Sequence, residues 1–183
     1  FPYTTLFRSS QLANLSDEEK ENLVEALKEI SYADFIIIDT AAGITSNVLT
    51  FVASAHEIIV ITTPEPTAIT DAYGVIKSIV TEVENPDIKL VVNRVKNTTE
   101  ATKVAKKVID VCSQFLNVKI ENLGFIYDDQ IVQDSVRKQI PYVQLYPSHN
   151  VSICVNHIAR RIMNLEVSEE ESGWKKFFKN MFK

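Results

Sequence analysis

A chain of 183 residues, 45% apolar and 23% charged, is large enough to bury the core of one α/β domain and too balanced for disorder or a fibrous repeat. Its net charge of −5 makes the surface as a whole a poor binder of polyanions, so no nucleic-acid partner is expected and an anionic partner must meet a local basic patch. No apolar run approaches the roughly 20 residues that span a bilayer, no secretory-type leader opens the chain, and two cysteines outside any CxxC spacing, Cys112 and Cys154, fit buried thiols in a reducing cytoplasm.

Residues 1–10 (FPYTTLFRSS) carry neither period nor cap and read as a non-native leader. With no initiator Met, the chain is expected to be an N-terminally truncated frame whose native part starts near Gln11. Ser16 followed by Asp17, Glu18 and Glu19 is a helix start, and Leu23, Leu27 and Ile30 carry its apolar face. Asp34 to Asp39 (DFIIID) is a short run rich in β-branched residues, which predicts a strand buried on both faces. Thr40-Ala41-Ala42-Gly43 breaks it, and a helix is expected through Val48 to Ala55.

The cycle then repeats. Glu57 to Thr62 predicts a second buried strand, and Pro64 and Pro66 punctuate the turn into a helix from Thr67 to about Val83. Ile88 to Val92 is a third strand. Thr98 or Thr99 is expected to cap a helix reaching Phe115. Val118 to Ile126 carries a fourth strand, and helices follow at Gln130 to Lys138 and Asn150 to Met163. Strands alternating with helices of this length mean an α/β fold, a parallel sheet with helices on both faces and right-handed crossovers. Ligands of such sheets bind beyond the carboxyl ends of the strands, so the residues just after each strand are the informative ones.

Asp39 ends the first of these strands, four residues before Gly43. A carboxylate there can hold a Mg²⁺-bound water, and the glycine N–H can meet a terminal phosphate; on its own the aspartate is equally a cap or turn residue. Asn93-Arg94 ends the third strand. Asn offers a donor and an acceptor that match a purine edge, although alone the pair also fits a turn with a solvated Arg. After the fourth strand, Gly124-Phe125-Ile126-Tyr127-Asp128-Asp129 can wrap a base or cap the next helix. His56, His149 and His157 lack metal-ligand spacing and read as structural or surface residues.

Taken in order, DFIIIDTAAGI, IIVITTPEPTAITDAYGVIK, LVVNRV and GFIYDDQIVQDSVRKQIPYVQLYP form a series that resembles the MinD/ParA family of P-loop ATPases, of deviant Walker type, from about Gln11 to Lys183. TTPEPTAITDAY and the Lys-rich aromatic tail resemble the flagellar-number-regulator (FlhG-type) branch. The resemblance implies ATP and Mg²⁺ as cofactors, with Asp39 near Mg²⁺ through water and Gly43 sensing the γ-phosphate. It implies Asn93 and Arg94 on the adenine side and Tyr127, Asp128 and Asp129 in the loop over the base. It also puts Glu65 and Asp71 near an ATP-dependent homodimer or partner face. Ala41 and Tyr127 stand where the family often has Pro. The family's phosphate loop is expected upstream of everything here: among Gly43, Gly74, Gly124 and Gly173 there is nothing like GxxxxGK, so this chain alone is expected to bind ATP poorly and not hydrolyse it. The phosphate-loop strand is expected between the Asp34–Asp39 and Glu57–Thr62 strands.

Residues 11–165 thus read as the C-terminal part of a MinD-like ATPase domain, and 166–172 (EVSEEES) as an acidic linker. Residues 173–183 read as a membrane-targeting helix. Trp174, Phe177, Phe178, Met181 and Phe182 fall on one face, an arc of roughly 140° at helical spacing. Lys175, Lys176, Lys179, Asn180 and Lys183 fill the rest. Such a segment suits an anionic membrane surface, peripheral on the inner face of the cell membrane, or a groove on protein. The function implied by resemblance is a dimerising, ATP-hydrolysing regulator of flagellar number and placement, with the SRP-type GTPase FlhF and flagellar switch components as partners. A cell-division-site ATPase of MinD type and a non-catalytic membrane-docking module are the alternatives.

Overall fold

The computed structural model describes residues 32–40 and 46–165. The leader, the helix expected after Ser16, Gly43 with its neighbours, the acidic linker and the tail from Trp174 to Lys183 lie outside the described residues.

The described elements run α1 (Ser46–Ser54), β1 (Ile58–Thr62), α2 (Pro66–Glu82), β2 (Ile88–Val95), α3 (Thr98–Leu116), β3 (Ile120–Tyr127), α4 (Gln130–Lys138), α5 (Tyr142–Leu145) and α6 (Asn150–Ile162). The three strands form one parallel sheet in the order β1-β2-β3, with Ile58 beside Ile88 and Ile88 beside Ile120. β2 is central, and its apolar run is buried on both faces: Ile88, Leu90, Val91, Val92 and Val95 are all at most 3% exposed. Each such side chain contributes about 1.5–3 kcal/mol through removal from water.

The helices follow their sequence periods. α3 buries Ala101, Val104, Ala105, Val108 and Cys112, a stripe at three- and four-residue spacing laid on β2 and β3. Its start is fixed by two reciprocal bonds. Asn97 Oδ1 accepts from the Glu100 N–H at 2.9 Å, and Glu100 Oε2 accepts from the Lys96 N–H at 2.7 Å. The cap is therefore Asn97, one residue before the threonines expected for it. Asn117, in the left-handed region at φ 51°, ends the helix. α2 opens on Pro66, buries Ala72, Ile76 and Ile79, and stops before Asn85 and Pro86. α6 packs on β3 and is locked there by Arg161, whose guanidinium donates to the Leu123 carbonyl at 3.1 Å and to Glu121 Oε1 at 3.2 Å.

One expected strand is absent. Residues 34–39 form no strand, and Phe35, Ile36, Ile37 and Ile38 are exposed, Ile37 to 91%. A strand buried on both faces is made by its neighbours, not by its own β-branched residues. Among the described residues segment 34–39 has no such neighbour: the described sheet ends at β1, and in the strand order implied by the resemblance the segment does not border β1 directly. The same gap shows on β1 itself. Ile58, Val60 and Thr62 face the covered side, while Ile59 (41% exposed) and Ile61 (62%) face outward on a side that no described residue covers.

Candidate functional site

Because the three strands are parallel and adjacent, the segments that leave their carboxyl ends lie side by side along one edge. At β2 that edge is distorted. The pairing of β2 with β3 slips between Val92 and Val95, and Arg94, in the slipped segment, takes a left-handed backbone at φ 59°. A bulge of this kind re-aims side chains, and a non-glycine residue in that region costs about 1–2 kcal/mol, which the surroundings must offset. The bulge turns Asn93 and Arg94 out of the sheet while Val95 stays buried.

The loop after β3 is clasped onto this bulge. The Asp128 N–H donates to the Val95 carbonyl at 3.0 Å, and Arg94 Nε donates to Asp128 Oδ1 at 3.4 Å. Asp129 caps α4, its Oδ1 accepting from the Ile131 N–H at 3.0 Å. Its other carboxylate oxygen lies 3.8 Å from His149 Nε2, at the start of α6. The Tyr127 ring is half-buried and stands edge-on to Phe125, centroids 5.1 Å apart. Burial, with Cys154 nearby, pushes its phenol above the ordinary range, so it stays protonated and can donate. Asn93 Oδ1 accepts from the Arg94 N–H at 2.9 Å. The free end of that amide is therefore its nitrogen, a donor without a partner among the described residues.

Five of the expected residues, Asn93, Arg94, Tyr127, Asp128 and Asp129, are thus brought to one place. Their chemistry suits a neutral heterocycle edge: an amide donor at Asn93, and the two carboxylates already engaged by Arg94 and by the α4 backbone. Other expected residues are not joined to this group. Asp39 was expected at a strand end; it is exposed and lies outside any strand, for the reason given for its segment. Glu65 lies just before α2 and accepts from Thr63 Oγ1 at 2.9 Å. Asp71 is exposed on the first turns of α2. No described hydrogen bond or ion pair ties Glu65 or Asp71 to Asn93 or Asp128. Among the described residues no cluster of three or more His, Cys, Asp or Glu side chains could hold a metal ion. His149 was read as merely structural or surface, and nothing local in the sequence marks its approach to Asp129.

The chain is 28% identical over 171 residues to the antiactivator FleN of Pseudomonas aeruginosa, covering 93% of the chain and 61% of FleN. It is 31% identical over 169 residues to the septum site-determining protein MinD of Bacillus subtilis, 90% of the chain and 61% of MinD. The chain is similar in sequence and fold to members of the MinD/ParA family. No family model matches it, and it spans about three-fifths of the length of these curated relatives. Among solved structures, the MinC:MinD cell division complex of Aquifex aeolicus superposes with a TM-score of 0.65 at 25% identity, covering 86% of the chain and 63% of its counterpart. MinD of Pyrococcus horikoshii, solved with Mg-ADP, gives 0.59 at 20% identity over 88% of the chain and 63% of its counterpart, a likeness of fold. The parallel sheet flanked by helices is the fold of this family's ATPases, and among the described residues no helix is long and apolar enough to cross a membrane.

Proposed function

We propose that this chain is the base-binding and carboxyl-terminal part of an ATP-dependent, dimerising switch that regulates flagellar number and placement. The observation that carries the reading is the bulge at Asn93–Arg94 clasped by the loop 127–129 at the carboxyl edge of the sheet. In a family of ATPases, that pair of segments is where the adenine belongs. Asn93 offers its free amide nitrogen to an acceptor nitrogen of the purine. Arg94 holds Asp128, and the loop closes the side of the base. Asp39 and Gly43 are the proposed complement at the phosphate end, by resemblance.

Glu65 and Asp71 are proposed for the face that meets a second protomer or a partner, FlhF-type GTPase and flagellar switch components included. The tail Trp174–Lys183 is proposed to lie on anionic lipid, each lysine adding about 1 kcal/mol at such a surface. Two tails on one dimer would bind together through effective concentration, so nucleotide-driven dimerisation would control attachment to the inner face of the cell membrane. The Bacillus subtilis relative, a septum site-determining protein at 31% identity, favours a second reading in which the same switch places the division site.

Two experiments decide between these. Calorimetric ATP titration of the protein as encoded in full, with Asn93→Ala beside it, should show binding that the substitution weakens at least tenfold. Unchanged binding in Asn93→Ala would remove the base assignment. Deletion of the gene should change the number or position of flagella counted by electron microscopy; minicells or filaments with normal flagella would instead establish the division reading.

A further inference from the structure

β1 ends beside β2, Thr62 pairing with Val92, so the segment that leaves β1 starts at the same carboxyl edge as Asn93. That segment is Thr63-Pro64-Glu65-Pro66. Two prolines fix its backbone: each locks its own φ and holds the residue before it extended, which sets both Thr63 and Glu65. Glu65 accordingly lies at φ −65° and ψ 134°, and its carbonyl accepts from the Ile69 N–H at 3.1 Å as α2 begins. Neither proline has an N–H, so the tip is poor in donors.

The carboxylate has a competing use close by. Glu65 is the N-cap residue of α2, where open N–H groups and the positive end of the helix dipole draw an anion back onto the helix. It makes no such bond. Its Oε2 instead accepts from the Thr63 hydroxyl at 2.9 Å, which spends the one hydroxyl of the tip. The Glu65 side chain is exposed, and Oε1 has no hydrogen bond or ion pair among the described residues. A hydroxyl two residues back thus holds the carboxylate off its own helix and leaves one oxygen unclaimed.

We infer that Thr63 is a positioning residue for Glu65: it keeps the carboxylate off α2 so that the unclaimed oxygen meets a cationic side chain of a second copy of this chain. An ammonium or guanidinium is the class of group that fits, because the tip offers acceptors and negative charge and few donors. The inference rests on the reading of Glu65 as part of the dimer face. It adds a residue that acts on the facing copy only through another.

The test uses the protein as encoded in full, with ATP and Mg²⁺, and reads dimerisation by analytical ultracentrifugation beside urea unfolding. Thr63→Val keeps the shape and removes the donor. It should weaken the dimer about three- to tenfold, with the unfolding midpoint unchanged or higher, since the freed carboxylate can fall back on α2. Thr63→Ser returns the hydroxyl and should return the dimer. Glu65→Gln should weaken the dimer at least as much and flatten its dependence on salt; adding Thr63→Val to it should cost nothing further. A wild-type dimer in Thr63→Val, no rescue by serine, or a full additional loss in the double variant would overturn the inference. A wild-type dimer in Glu65→Gln, or a wild-type protein that stays monomeric with ATP, would take away the dimer-face assignment itself and the inference with it.

Discussion

Arg94 and Asp128, 34 positions apart, join the bulged end of the middle strand to the loop leaving its neighbour, Nε to Oδ1 at 3.4 Å. The arginine holds a left-handed backbone to do so. Both side chains are more than half exposed, so solvent screening leaves the ion pair a few tenths of a kcal/mol at most. The backbone strain is the larger of the two effects. Arg94→Gly is therefore expected to leave stability unchanged or raise it by up to about 1 kcal/mol, while loosening the loop. Urea unfolding measures the first and amide exchange at residues 127–129 the second. A loss above 1 kcal/mol would show that the arginine is held by more than this pair.

Lys89 lies within the central strand, 8% exposed at its side chain, with its ammonium 2.9 Å from Glu57 and 3.9 Å from Asp87. Taking that charge out of water costs energy that its partners barely offset. Lys89→Met should fall within about 1 kcal/mol of wild type. Glu57→Ala, which leaves the buried ammonium with only the more distant Asp87, should cost about 2 kcal/mol or more. Equal effects in chemical denaturation would mean that the pair is not the governing interaction.

Burial pushes the Cys112 thiol from 9.0 up to about 11. A folded-state value above the unfolded one means that the native state favours the protonated thiol. Its contribution is complete below pH 9 and is lost as pH rises from 9 to 11, on the order of 2 kcal/mol in all. Stability of the wild type should fall more steeply across that window than stability of Cys112→Ala. Parallel curves would contradict the burial. At pH 8 neither Cys112 nor Cys154, both buried, should react with Ellman's reagent until the chain is unfolded.

The outward side of β1 presents Ile59 and Ile61 at the edge of the described sheet, with no strand beside it among the described residues. Such an edge recruits other strands. In this chain Ile61→Lys should reduce concentration-dependent light scattering severalfold while changing the unfolding midpoint little. Unaltered scattering would place the sticky surface elsewhere.

The strands and helices from Ile58 onward, short α5 excepted, are legible because their residues pack locally at period two or three to four: Ala101, Val104, Ala105, Val108 and Cys112 can be counted off the sequence. The run at 34–39 was legible in composition and misleading in consequence. Phe35-Ile36-Ile37-Ile38 has the same character as Ile58-Ile59-Val60-Ile61, yet only the second has a partner, because strand pairing is decided by distant residues. At the site, the identities Asn93, Arg94 and Asp128 were readable from their place after strands. The left-handed turn at Arg94 was not, since it follows from a slip in register that needs both strands at once. The approach of His149 to within 3.8 Å of Asp129, across two intervening helices, has no local signal in the sequence.

The parallel register sets when this edge can exist. Ile58 pairs beside Ile88 and Ile88 beside Ile120, so each strand pair closes a loop that contains a whole helix, and no hairpin can seed the sheet. Arg94 meets Asp128 only after β2 and β3 have closed around α3. This edge therefore waits for β3, and a nascent chain stalled before β3 has no such edge to offer.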